Sequence, residues 1–487
     1  MEEAVRTETA DRAQADASAG SGAGAGAGGK LSRGAKAWAL FEGARNPYVI
    51  LITIYVFSPY VASTLVGNPI EGQEVVSRWQ TYASIAVMLT APILGAAIDR
   101  IGQRKVGLAL IVLTMSALMI ALWWTRPQDS WSLNLALISG AIMAVLFPWS
   151  EVFHNSLLVN AAGLTNAHKA SALALALGNA FALVALAFVA WAFVLPGAVD
   201  WPLVPKEPLF GIGATAAANQ RIVGPIAGAV FLIFSLPLFF LTPDLPRTKT
   251  PVIKALGMGA KDLFTMIRSV RTYRDAVTFL AARMFYIDGM TAILIYGGIY
   301  ASGVMGWNPL TMLMYGIILS TLAVIGGAVG GFLDHRFGPK RAVQVEVLMS
   351  LVGIIALLGM SPTRILYIWS FDPTTAAPVW NGPFFTTWPD IVFLLIGFSN
   401  AIFITAHYAS SRTLLTRLTP PAMTGTFFGV YALSGTATLW LGSLLVNLGT
   451  NIFKTQQGGF ATIAVLLAVG FVGTLFVKGG NRGEVAS

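Results

Sequence analysis

Long apolar stretches separated by short polar breaks run through the chain from residue 37 to residue 477. Twelve can be counted, at 37–63, 78–98, 106–125, 133–158, 169–195, 221–241, 277–302, 310–333, 342–361, 390–411, 424–448 and 459–477. A hydrocarbon core about 30 Å thick is crossed by about 20 helical residues, so each stretch is long enough. In lipid a single stretch satisfies its own backbone polar groups only as a helix. The pattern predicts an all-α membrane protein of twelve transmembrane helices in two six-helix pseudo-repeats. A disordered tail is expected over 1–36, six-helix bundles over 37–242 and 276–478, and a short tail over 479–487.

The two ends of the pattern and its middle are polar. Residues 1–36 are rich in Ala, Gly and Ser and offer no apolar run for a secretory signal. In the linker at 243–275, Lys254, Lys261 and Arg268 recur every seven residues, and Leu256, Leu263 and Val270 do so on another face. That predicts a basic amphipathic helix lying on an anionic leaflet and tethering the two halves.

Composition agrees with lipid as the main solvent. Of 487 residues, 55% are hydrophobic and 11% charged, and mean hydropathy is +0.70. A soluble domain carries about 25% charged residues. There are no cysteines, so disulfides, thiolate metal sites and cysteine nucleophiles are excluded. The net charge of +9 does not point to nucleic acid, because the basic residues sit in short breaks between spans. Of the 31 Lys and Arg residues, 23 fall on the side that holds the N-terminus, 6 on the other, and Arg45 and Arg283 lie inside spans. The positive side faces the cytoplasm, so both termini are expected there, in the cell's inner membrane.

Between the second and third spans stands Gly95-Ala-Ala-Ile98-Asp99-Arg100-Ile-Gly102-Gln-Arg104-Lys105. Gly95 with Ala91 makes a small face for close helix packing. Asp99 can pair with basic residues or cap a helix, and Gly102 supplies a tight turn. A blurred echo follows the eighth span, with Gly331, Asp334, His335, Arg336, Gly338 and Arg341. Gly326, Gly327, Gly330 and Gly331 form two overlapping GxxxG pairs just before it. The first loop resembles the signature loop of the major facilitator superfamily, and the echo resembles its repeat with His335 in the place of an aspartate. The resemblance implies a cytoplasmic latch that works during alternating access.

The seventh span reads Ala282-Arg283-Met-Phe-Tyr286-Ile-Asp288-Gly289-Met-Thr291. It resembles a stretch of one major facilitator branch, which includes the fungal vacuolar amino-acid effluxer linked to autophagy and bacterial relatives. Three further stretches agree: Trp38 to Asn46, Val152 to Leu157, and Ser411-Arg412 with Phe427 to Tyr431. Glu42, Arg45, Tyr408 and Thr426 depart from the branch's pattern, so its substrate does not carry over.

An ionisable group at the bilayer centre costs roughly 2.5–3.5 kcal/mol on insertion scales and usually faces a cavity or a partner. Glu42 and Arg45 are spaced to pair on one helix face, as are Arg283 and Tyr286. Arg283 and Asp288 lie about 140° apart and cannot pair directly. Asp288 lies about 18 Å along its span, near mid-membrane. It is the candidate for substrate or proton binding, with Arg283 and Tyr286 positioning it and Glu42, Arg45 and Asn46 acting from the other half. Glu151, His154 and Asn155 share one face of the fourth span, with His407 and Asn400 as counterparts in the tenth. One histidine and one carboxylate are too few for a metal site.

These features predict a secondary transporter that moves a small solute, such as an amino acid or similar metabolite, with the proton as candidate coupling ion. It is expected to work as a monomer in the lipid bilayer, without cofactor. A channel, a non-transporting receptor and a membrane enzyme are the alternatives. The last would need a cluster of nucleophile, base or metal ligands near one interface, and the sequence holds none.

Overall fold

A computed structural model describes residues 30–127, 129–246, 248, 251–419 and 424–479. Residues 1–29 of the tail expected over 1–36 and residues 480–487 of that expected over 479–487 lie outside the described residues, as do the side chains of Asp99 and Arg100. Eleven helices among the described residues are long and apolar enough to cross a membrane. In chain order the helices of the first half are α1 (Arg33–Leu65), α2 (Pro69–Ile101), α3 (Lys105–Trp124), α4 (Ser130–Ser156), α5 (Leu158–Val189) and α6 (Val223–Leu241). An amphipathic α7 (Val252–Val270) follows. The second half holds α8 (Arg274–Val304), α9 (Pro309–Phe337), α10 (Pro339–Leu358), α11 (Trp388–Leu418), α12 in two pieces (Thr424–Thr436 and Leu439–Phe453) and α13 (Gln456–Leu475). The twelfth crossing is α2, whose 33 residues carry charges at both ends. A two-stranded hairpin, β1 (Arg364–Ile365) and β2 (Trp369–Ser370), lies between α10 and α11.

The odd helices of the first half start at the end of the bundle that also carries residue 30, α7 and residue 479. This is called the near end here, and the other the far end. Five of the six long helices that start at the far end supply their own caps, α6 being the exception. Asn68, Asp129, Asn308, Thr387 and Thr455 each accept a backbone N–H of the first turn, which satisfies donors that the helix leaves orphaned.

Several boundaries differ from the hydropathy pattern for this reason. Helix α1 begins at Arg33 rather than 37 because Ser32 accepts from Ala35 N at 3.0 Å. Helix α2 begins nine residues before 78, where Asn68 caps it and Pro69 opens it, so Arg78 lies on the helix and pairs with Glu74. Asp334, His335 and Arg336 are not in a loop but on the last turn of α9, which Gly338 ends at φ 85°. Helix α12 is broken around Ala437 and Thr438 where one continuous span is expected.

Helix α1 winds wide after Pro47, with i→i+5 hydrogen bonding over Tyr48–Tyr55 and again over Val61–Leu65. Proline withholds a donor from the helical ladder, and wide turns of this kind recur at functional sites. In α7, Lys254, Lys261 and Arg268 are exposed beside exposed Phe264 and Ile267. Of the overlapping glycine pairs in α9, Gly326 and Gly330 press on α11. A Cβ there would sit 2.5 Å from the Ile402 carbonyl oxygen and 2.7 Å from that of Ala406, whereas Gly327 and Gly331 face open space.

Candidate functional site

The two halves meet tightly at the far end. Gln73 Nε2 donates to Thr450 Oγ1 at 2.8 Å and to the Gln456 carbonyl at 3.1 Å. Asn447 Nδ2 donates to the Glu74 carbonyl at 2.8 Å, and Gln456 Nε2 to that of Pro69 at 3.0 Å. Gly298 of α8 lies so close to α1 that a Cβ would be 2.0 Å from the Ile54 carbonyl oxygen. Tyr55 packs edge-on against Tyr315 across the same junction. Beneath this closure lies a cavity of ≈ 230 Å³ between the halves. Asn46, Asn179, Asn400 and Tyr408 are among its polar lining residues, and among the described residues no Asp, Glu, Lys, Arg or His lines it. Toward the near end, Glu151 on α4 is 51% exposed, and Tyr408 on α11, which lines the cavity, is 38% exposed. The cavity is therefore closed at the far end and open toward the near end.

In the first half, Arg45 gathers two carboxylates. Its Nε lies 3.1 Å from Glu42 and its Nη2 3.3 Å from Glu151. Nη1 reaches Ser150 Oγ at 3.4 Å, and the guanidinium stands over the Phe147 ring. His154 Nδ1 lies 3.7 Å from Glu42. Its ring stacks on Trp38 at 4.3 Å, Trp38 Nε1 donates to the His154 carbonyl, and His154 Nε2 meets the Trp38 carbonyl. Asn155 is exposed beside this cluster. Asn46 reaches the cavity one residue beyond Arg45, against Gly178 of α5.

In the second half the expected trio separates. Asp288 accepts from the Gly442 backbone N–H at 2.7 Å, in the first turn of the second piece of α12. A carboxylate there meets the positive end of a helix. Thr438, in the break, donates to the Met284 carbonyl at 2.7 Å. Arg283 does not face Asp288. It donates to the Tyr431 carbonyl at 2.9 Å and Ser434 Oγ at 2.7 Å, and stacks 3.6 Å over the Tyr431 ring. Tyr286 turns the other way, edge-on to His407 at 4.7 Å. Neither positions Asp288 directly.

The two latch segments differ. At the first, Gly102 has φ 78°, and a Cβ would meet the Pro246 carbonyl oxygen at 2.3 Å. Arg104 donates from its side chain to the Ser156 carbonyl at the end of α4. Lys105 Nζ reaches the Phe239 carbonyl of α6 at 3.0 Å. Asp244 accepts from the backbone of Arg104 and Lys105 at 3.0 and 3.1 Å, capping α3 from across the bundle. Gly95, expected at a close contact, meets only Val152, at an ordinary 3.8 Å. At the second segment, Asp334 lies near Ser410, Thr413 and Arg417 of α11; Arg336 lies over Phe337. Arg412 is exposed on α11.

Asp244, Gly442 and Glu346 are absent from the residues that hydropathy and motif single out. Glu346 is fully buried on α10 and accepts from Ser410 Oγ at 2.7 Å. A lone carboxylate inside an apolar span is the signal that marks it. Among the described residues no cluster of three His, Cys, Asp or Glu could hold a metal.

Comparison with known proteins names this arrangement. A family model described as vacuole effluxer Atg22 like matches residues 75–485. An uncharacterized MFS-type transporter of Bacillus subtilis is 22% identical over 92% of this chain and 95% of its own length. Autophagy-related protein 22-1 of Aspergillus niger is 21% identical, but over 51% of this chain and 40% of its own. Among solved structures, a D-xylose-proton symporter superposes with TM-score 0.61 at 14% identity, over 93% of this chain and 97% of that one. A nucleoside transporter does so with TM-score 0.60 at 13% identity, over 91% and 98%. These likenesses establish the fold, and the family match covers most of the sequence. The chain is a multi-pass transporter of the major facilitator type and belongs to the vacuole effluxer Atg22-like family.

Proposed function

We propose that this transporter moves a small solute without net charge, such as a neutral amino acid or similar metabolite, by alternating access coupled to protons. It does so as a monomer in the inner membrane, with the near end in the cytoplasm. The observation that carries the reading is the cavity between the halves, sealed at the far end by Gln73, Thr450 and Gln456 and free of charged side chains. At ~30 Å³ per water it has room for about eight waters, or one compact solute of that bulk. Asparagine amides and tyrosine hydroxyls supply hydrogen bonds to a polar head, and Ile50, Ile54 and Leu319 line an apolar part.

In this reading the Glu42–Arg45–Glu151 group orients the solute at the cytoplasmic mouth. Asp288 fixes the break in α12, which acts as the hinge of the gate. The two latch segments brace the cytoplasmic ends of the helices. Reconstituted protein is expected to exchange radiolabelled neutral amino acids with saturable kinetics. Flux that rises linearly with concentration, or no exchange above protein-free vesicles, would contradict the reading.

A further inference from the structure

Behind the cavity wall of the second half, two ionisable side chains are sealed from water together. Glu346 on α10 and His407 on α11 are both 0% exposed. Glu346 Oε2 lies 3.8 Å from His407 Nδ1. That oxygen and both ring nitrogens lack any hydrogen-bond partner among the described residues. The other oxygen, Oε1, takes the Ser410 hydroxyl. The groups around the pair do not neutralise it as a salt bridge. From α8, Arg283 faces the histidine, but its guanidinium is held by Tyr431 and Ser434 of α12. Tyr286 presents its ring. From α9 comes Asp334, a second carboxylate. Tyr431 of α12 bonds Ser411, and α13 carries no titratable residue at all.

A buried carboxylate without a cation costs several kcal/mol. One proton removes that cost, whether it sits on the carboxyl or on the imidazole, because either way the pair has no net charge. The first half makes the contrast. His154 also lies beside a carboxylate, but there Arg45 neutralises Glu42 and the Trp38 carbonyl takes the ring nitrogen. The second-half pair has no cation bonded to it and is left one proton short of neutrality.

The position of the pair also suits coupling. Ser410 donates its hydroxyl to Glu346, and Asp334, whose Oδ1 has no hydrogen-bond partner among the described residues, lies beside it. Asp334 is half-buried on the last turn of α9, beside exposed His335 and Arg336. That is a chain of polar groups from the near-end surface inward. His407 shares α11 with Asn400, Ile404 and Tyr408, which line the cavity. We propose that Glu346 and His407 bind one proton between them through Asp334 and Ser410, and that this proton is the coupling ion of the transport cycle. The inference rests on the transporter reading for its second clause only.

The test follows the proton and the far-end closure, so it needs no substrate. Because the chain lacks cysteine, Thr64→Cys and Ser302→Cys, which line a small vestibule of the closed far end from the two halves, are the sole labelling sites. Full-length protein in vesicles is titrated while infrared difference spectra record the carbonyl band of protonated carboxylic acids. A spin-label pair records the far-end distance. One band is expected to titrate with the release of one proton, and the distance to change over the same pH interval. Glu346→Gln should abolish both changes, Asp288→Asn should retain the band, and His407→Asn should shift the midpoint about tenfold in proton affinity. If Glu346→Gln does not fold, Ser410→Ala must move the band's frequency. A band unchanged in these variants, or a distance that follows pH equally in Glu346→Gln, overturns the proposal. Failure of amino-acid exchange with the band present would instead strike at the transporter reading.

Discussion

The Asp288 carboxylate accepts the Gly442 backbone N–H at 2.7 Å, tying α8 to the point where α12 restarts. The bond explains how α12 tolerates a break within the bilayer. One donor of the second piece's first turn, the Gly442 N–H, is met by a carboxyl oxygen from a neighbouring helix, as lipid would not meet it.

Asp288→Ala is therefore expected to destabilise the protein by about 1 kcal/mol, the usual cost of a lost helix cap. Asp288→Asn, which keeps an acceptor oxygen, should lose less. Gly442→Ala should impair transport as well, because its Cβ would lie 2.9 Å from Asp288 Oδ1. Denaturation midpoints of the purified variants, read beside flux, check this.

Arg45 holds together a cluster that would otherwise bear two negative charges. Arg45→Ala leaves Glu42, only 26% exposed, without its cation, and should cost on the order of 3 kcal/mol. Glu151→Gln touches the half-exposed partner and should cost under about 1 kcal/mol. The double variant Glu42→Gln/Arg45→Met should recover much of the stability lost by Arg45→Ala alone. Equal losses for all three would argue against a cluster held together by Arg45.

Gln73 joins α2 to α12 and α13 with two hydrogen bonds. At about 1 kcal/mol each, Gln73→Ala should shift the balance away from far-end closure by a factor of roughly 5–30. Maleimide labelling of Thr64→Cys from the far side should accelerate in that background. An unchanged rate would mean that the bonds do not hold the gate.

At the first latch, Gly102→Ala should reduce folded yield, since φ 78° and the nearby Pro246 carbonyl leave no room for a side chain. Asp244→Ala should cost about 1 kcal/mol by uncapping α3. Thermal melting of each variant measures both.

Much of this architecture is legible in the sequence because lipid imposes a simple rule on composition. About 20 apolar residues per crossing mark the spans, and i, i+3 spacing suffices to pair Glu42 with Arg45. The 140° between Arg283 and Asp288 likewise foretells that they take different partners. What is not legible depends on how helices cross. Glu346 meets His407 only because α10 packs on α11, and Gln73 meets Thr450 across 377 positions. The break in α12 carries no proline and is marked only by what Thr438 and Asp288 bond. Helix ends are read short wherever charged residues continue the helix into the interface, as at Glu71, Glu74 and Asp334.

The central claim is that a solute crosses by opening and closing the far end over the shared cavity. Gln73→Cys/Thr450→Cys places two thiols across that junction in a chain with none of its own. Exchange of radiolabelled neutral amino acids by the reconstituted variant should be saturable when reduced, stop on oxidation and return on reduction. Exchange that continues unchanged with the far end cross-linked would contradict the account.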